Sequence, residues 1–95
     1  RYFSDAQGKM NLSLQDIQGE ILIVSQFTLY ANCNEGRRPG FDAAAPGTVA
    51  KMMYEKFVEE VKQVVNTVQT GIFGADMEVT LVNDGPVTFV IDYPN

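Results

Sequence analysis

The sequence predicts an α+β fold: a mostly antiparallel, barrel-like sheet with one main helix. Three observations carry that expectation. Several segments of four to eight residues are rich in β-branched and apolar side chains. Only one stretch repeats apolar residues at three- and four-residue spacing. Turn-forming Gly, Asn, Asp and Pro separate these segments.

The first boundary is Asp5-Ala6-Gln7-Gly8, a turn leading into a short strand at Met10–Leu14. Gly19 marks the next. Glu20–Tyr30 is apolar for most of its length and reads as a central strand covered on both faces. Residues 31–47 carry Asn, Gly, Arg and Pro without a period and read as a loop. Thr48 is placed to N-cap a helix over Val49–Val65. Its buried stripe would be Val49, Met53, Phe57, Val61, Val64 and Val68, with Glu55, Lys56, Glu59, Glu60 and Lys62 on the solvated side. Three further strands follow, at Gln69–Phe73, Met77–Val82 and Val87–Tyr93. The order β-β-α-β-β-β has too few strands to close a barrel, so further strands or a partner subunit should cover the edges.

Composition narrows the chemistry. The 95 residues make one domain, which buries only about 60–65% of its extended surface. No apolar run approaches the roughly 20 residues of a membrane span; the longest is Ile21–Val24. A single cysteine, Cys33, permits no internal disulfide and fits a reducing, cytoplasmic setting. The absence of histidine excludes Ser-His-Asp and Cys-His triads, imidazole bases and histidine metal sites. Asp76, Asp84 and Asp92 show no metal-ligand spacing, and no cofactor is expected. A net charge of −5 with seven Lys and Arg argues against a long duplex footprint. A small contact with a nucleic-acid end stays open, and Arg37-Arg38 is either part of it or a solvated basic turn.

Two segments stand out. Ser25-Gln26-Phe27-Thr28-Leu29-Tyr30 inserts polar side chains into the strongest apolar strand. Burying an unpaired polar group costs about 1–3 kcal/mol, so these groups are paired, line a cavity, or cross to a solvated face. Asn83-Asp84-Gly85-Pro86-Val87-Thr88 begins like a hairpin, yet Pro86 cannot donate to a ladder. Proline there belongs at an edge, at a strand start or at a cis bond. Base frequencies favour trans.

Together, Ser-Gln-x-x-Leu at 25–29 and Asn-x-Gly-Pro-Val-Thr at 83–88 resemble the paired signature motifs of the D-aminoacyl-tRNA deacylases. The likeness extends to residues 8–13, 36–41 and 70–77, nearly end to end. Either motif alone is modest; both in this order, with these intervening stretches, are specific.

The resemblance implies a cytoplasmic homodimer that hydrolyses the ester of D-aminoacyl-tRNA and of mischarged glycyl-tRNA. Its active site would lie at the subunit interface, with no membrane association. Ser25, Gln26, Phe27 and Thr28 of one subunit would form the pocket floor. The backbone N–H near Phe27, with Gln26 beside it, would face the scissile carbonyl. Gly85 and Pro86, joined in cis and inserted from the other subunit, would hold the α-amino group and exclude an L side chain. Asn83, Val87 and Thr88 belong to that same substrate-binding motif. Ala44, Phe73 and Met77 match positions lining the pocket for the 3′-terminal aminoacyl-adenosine.

Either Thr28 is the nucleophile or the tRNA 2′-hydroxyl assists a water. The lack of any base to activate Thr28 favours the second. The resemblance also implies that a family N-terminal portion, supplying further strands and an early helix, is absent before Arg1-Tyr2-Phe3. Rival readings are the editing domain of archaeal threonyl-tRNA synthetase, which usually lacks both motifs, a sister deacylase with a trans Gly-Pro, and a non-catalytic dimeric module.

Overall fold

The computed structural model describes residues 1–93. Strand β1 (Phe3–Ser4) pairs antiparallel with β2 (Met10–Leu12). Asp5 builds the turn between them, its carboxylate accepting the N–H of Gln7 at 2.9 Å and of Lys9 at 3.0 Å. Gly8 takes φ +79°, a left-handed conformation that glycine adopts without steric cost. β2 stops at Leu12 rather than Leu14, because Ser13 enters a turn with Asp16.

Strand β3 (Ile21–Ile23) lies parallel to β4 (Val68–Thr70), in the register Ile21↔Val68 to Ile23↔Thr70. Parallel neighbours need a long crossover, and helix α1 (Gly47–Lys62) lies within the segment joining them. The α+β class therefore holds, but the described residues carry one antiparallel and one parallel pair rather than a mostly antiparallel sheet.

The central strand expected over Glu20–Tyr30 ends at Ile23. β4 runs out opposite it, and Gly71 N–H makes the last bond to Ile23 O at 3.0 Å. With no ladder partner beyond, the polar residues take over, and Phe27–Tyr30 winds into a 3₁₀ turn. Likewise, β4 covers Val68–Thr70 instead of Gln69–Phe73.

Helix α1 begins one residue before Thr48. Pro46 is its N-cap, with Pro46 O accepting Ala50 N–H at 2.8 Å, so Thr48 sits inside the first turn and caps nothing. The helix ends at Lys62 rather than Val65, the next three residues continuing as turns bonded to Glu60 and Val61. Its buried face is also displaced from the expected stripe. Ala50, Tyr54, Val58, Val61 and Val65 face inward, while Val49, Met53, Phe57 and Val64 are exposed. The well-buried hydrophobic residues among those described are Ile23 and Val58, one from β3 and one from α1.

Met77–Val82 and Val87–Tyr93 form no strand among the described residues. A strand exists only through a hydrogen-bonded neighbour, and neither segment has one here. Val82 and Val90 are about nine-tenths exposed, at 92% and 89%. The second segment is tied back by Phe89, whose ring lies 4.6 Å from that of Tyr2.

Candidate active site

The end of β3 delivers the first candidate residues. After Ile23 the chain leaves the ladder through half-buried Val24 and Ser25. Gln26 takes φ −151°, ψ 86°, and the 3₁₀ turn follows. The first residues of such a turn have no intrahelical acceptor for their N–H groups. Among the described residues neither Phe27 N–H nor Thr28 N–H donates a hydrogen bond. The Gln26 side-chain amide donates to Thr28 Oγ1. Two free backbone donors and an amide thus share one short segment, with Thr28's oxygen already serving as an acceptor.

That segment opens onto a cleft of about 760 Å³, sized for a small ligand. Ser25, Gln26, Phe27 and Thr28 line one side. Phe27 packs on Phe41 with ring centroids 5.1 Å apart. Phe41 O accepts Ala44 N–H at 3.0 Å, a turn that sets Ala44 in the wall, and Pro46, Gly47 and Ala50 at the start of α1 continue it. Phe73 and Met77 also line it, carried by the turn after β4 in which Ala75 N–H bonds Ile72 O at 3.2 Å and Gly74 takes φ +77°. The lining is largely apolar, and Asp76 is its one ionisable residue among those described.

Ser25, Gln26, Phe27, Thr28, Ala44, Phe73 and Met77 are therefore together, although they come from three separate stretches of chain. Asn83, Gly85, Pro86, Val87 and Thr88 are not with them. They form an exposed turn of their own, in which Asn83 Oδ1 accepts Val87 N–H at 3.3 Å and Asn83 Nδ2 reaches Thr88 Oγ1 at 3.5 Å. The Gly85–Pro86 bond is cis, and Gly85 takes φ +151°. Within one copy of the chain this turn does not line the cleft.

Sequence reasoning missed Tyr54 altogether and gave Phe41 no role of its own. Tyr54 hydroxyl donates to Ile23 O at 3.2 Å, and its ring lies 5.7 Å from Phe73. An aromatic residue four positions after Ala50 and four before Val58 is the signal that could have found it.

A family model described as D-Tyr-tRNA(Tyr) deacylase matches residues 1–92. The chain belongs to the D-Tyr-tRNA(Tyr) deacylase family. A protein of Geotalea uraniireducens named D-aminoacyl-tRNA deacylase is 62% identical over 94 residues, covering 99% of this chain and 61% of its own length. One of the same name from Thermosipho africanus is 59% identical over 92 residues, covering 97% of this chain and 62% of its own. Among solved structures, the c-Myc DNA Unwinding Element Binding Protein superposes with a TM-score of 0.88 at 40% identity, over 100% of this chain and 65% of that one. The chain thus spans just over three-fifths of the deacylase-family relatives it matches. The deacylase-family match runs through both the cleft and the Gly85–Pro86 turn.

Proposed function

We propose that this chain is the catalytic core of a cytoplasmic, homodimeric hydrolase that cleaves the ester of D-aminoacyl-tRNA, and of glycyl-tRNA charged in error. The observation that carries the reading is the pair of unpaired N–H groups, Phe27 and Thr28, at the edge of an apolar cleft in a chain of the deacylase family. Donors of this kind, already aimed before the reaction, stabilise the negative oxygen that develops when an ester carbonyl is attacked. Ala44, Phe73 and Met77 offer the apolar wall that a terminal adenosine and an aminoacyl group need.

Water attacks the carbonyl carbon, and the carbonyl oxygen takes the negative charge toward the Phe27 and Thr28 N–H groups. The tetrahedral centre then collapses, the 3′-oxygen of the adenosine leaves with a proton, and the amino acid departs as its acid. The neighbouring 2′-hydroxyl of the tRNA is the group that relays the proton. Thr28 is not the nucleophile in this reading: its partner is an amide, which is no base, and the chain has no histidine. Positioning of an already reactive ester does the rest.

Gly85 and Pro86 enter the cleft from a second copy of the chain, with Asn83, Val87 and Thr88 shaping their turn. Their carbonyl oxygens hold the substrate α-amino group and leave no room for an L side chain. Glycine has no side chain to exclude. The placement of this turn outside its own copy's cleft supports an interface site. So do the exposed segments 77–82 and 87–93, which a partner subunit and further N-terminal strands would complete into a barrel-like core.

The test is incubation of the purified protein with D-tyrosyl-tRNA and L-tyrosyl-tRNA. Loss of the D-ester alone is expected, and equal survival of both contradicts the reading. Thr28→Ala should slow D-ester hydrolysis by less than about tenfold, the worth of one modest hydrogen bond. Abolished turnover with fold and tRNA affinity intact would make Thr28 the nucleophile.

A further inference from the structure

Tyr54 lies outside the cleft lining yet touches two of the parts that shape it. The carbonyl of Ile23, a buried residue, accepts two hydrogen bonds: Gly71 N–H at 3.0 Å and Tyr54 hydroxyl at 3.2 Å. That carbonyl is the last point at which β3 is held before the chain runs through Val24 and Ser25 to the free donors. The Tyr54 ring meanwhile lies 5.7 Å from Phe73, another lining residue. Ala50, one turn earlier on the same inward face of α1, is itself part of the lining. One side chain therefore joins the end of β3, the lining residue Phe73 and the helix that carries Ala50 in the cleft wall.

We propose that Tyr54 is a positioning residue for ester hydrolysis, acting through Ile23 and Phe73; this rests on the deacylase reading above. Without its hydroxyl, Ile23 O keeps a single bond, to a glycine at the end of a three-residue strand. The segment behind it then shifts by a fraction of an ångström. Oxyanion donors act only when held within about 0.5 Å of the productive geometry, so the loss appears in the chemical step and not in tRNA binding.

Tyr54→Phe tests this, since it removes the hydroxyl and keeps the ring against Phe73. With D-tyrosyl-tRNA, at a temperature where the variant is fully folded, kcat should fall about tenfold. KM should stay within about twofold. A purely structural tyrosine would lower the melting temperature and leave kcat per folded molecule unchanged, which would overturn the proposal. Amide hydrogen exchange gives a readout that needs no turnover. The Gly71, Leu29 and Ala31 amides, which bond to Ile23, Gln26 and Thr28, should exchange faster in Tyr54→Phe, while those in the middle of α1 should not change. If the wild type hydrolyses neither tyrosyl ester, the functional reading falls and exchange alone decides the positioning claim. Unchanged exchange at all three amides then overturns it.

Discussion

A Cβ added to Gly71 would stand 2.7 Å from Met77 Sδ and 3.7 Å from Val24 Cγ1, so the absence of a side chain there sets where Met77 lies in the cleft wall. Gly71→Ala displaces the thioether, the flexible end of Met77, and leaves the backbone bond to Ile23 O able to form. The expected result is a several-fold rise in KM for D-tyrosyl-tRNA with little change in kcat. The accompanying stability loss should be about 1–2 kcal/mol, at the low end of overpacking because methionine adapts. Steady-state kinetics and denaturant melts check both parts. Residues of this scale were unevenly legible. Polar groups inside an apolar run mark Ser25, Gln26 and Thr28 but leave pairing, a cavity and a solvated face all open, and the resemblance alone implies a pocket floor. Gly85-Pro86 stands out because proline contradicts the hairpin that Asp-Gly promises. Tyr54 and Phe41 do not: an aromatic residue in a helix or loop has no local signature, and their roles arise only when distant segments meet.

Elements were legible in kind and less so in extent. Helix α1 was expected from its three- and four-residue spacing, yet two apolar stripes compete on it. The one through Met53 and Phe57 is the more hydrophobic by composition. The one through Ala50, Tyr54 and Val58 is the one turned inward, where Tyr54 finds an acceptor in Ile23. Strand length failed for a related reason. Apolar, β-branched composition describes what a strand can be, whereas its ladder partner decides how far it runs, and β4 offers only three residues to β3. The turn after β2 is a small element whose behaviour can be measured. The Ser13 N–H donates to the Asp16 carboxylate at 2.8 Å, and Ser13 hydroxyl accepts Asp16 N–H at 3.0 Å. The Ser13 backbone N–H first, and the Ser13 hydroxyl acting on the carboxylate itself second, hold the Asp16 carboxyl below its ordinary value of 3.8. A depressed folded-state value means that the contribution is complete above 3.8 and is lost as pH falls through the folded value. The stability advantage of the wild type over Asp16→Asn should therefore be constant near neutrality and shrink only below 3.8. Thermal melts between about pH 6 and pH 2 follow it. An advantage that does not change across that range would contradict the Ser13–Asp16 pairing.

At the scale of the whole molecule the chain is more extended than its length requires. Its radius of gyration is 16.1 Å, against about 12 Å for a compact domain of this size. Leu81, Val82, Val90 and Ile91 stand in solvent at 70% exposure or more. Apolar extended segments of that kind are template edges that proteins ordinarily cover. The Gly85–Pro86 turn likewise stands apart from the cleft. The uncovered edges are legible in a strand order too short to close a barrel, whereas the separation of the turn from its own copy's cleft is not, because periodicity reports which residues seek burial and not which copy of the chain supplies the cover. Both features support a site shared between two copies, with the Ser25–Thr28 floor from one and the Gly85–Pro86 turn from the other.

The central claim is that the two motifs act across the dimer, and complementation tests it most directly. Phe27→Pro removes one of the two free floor donors and Pro86→Ala damages the turn, so each homodimer should be inactive on D-tyrosyl-tRNA. In a mixed dimer one site collects both defects and the other receives an intact floor and an intact turn. After equimolar subunit exchange, half the dimers are mixed and half of their sites are whole, so activity should return to about a quarter of the wild-type value. A mixture as inactive as its two parents, with mixed dimers present by mass measurement, would contradict the shared site.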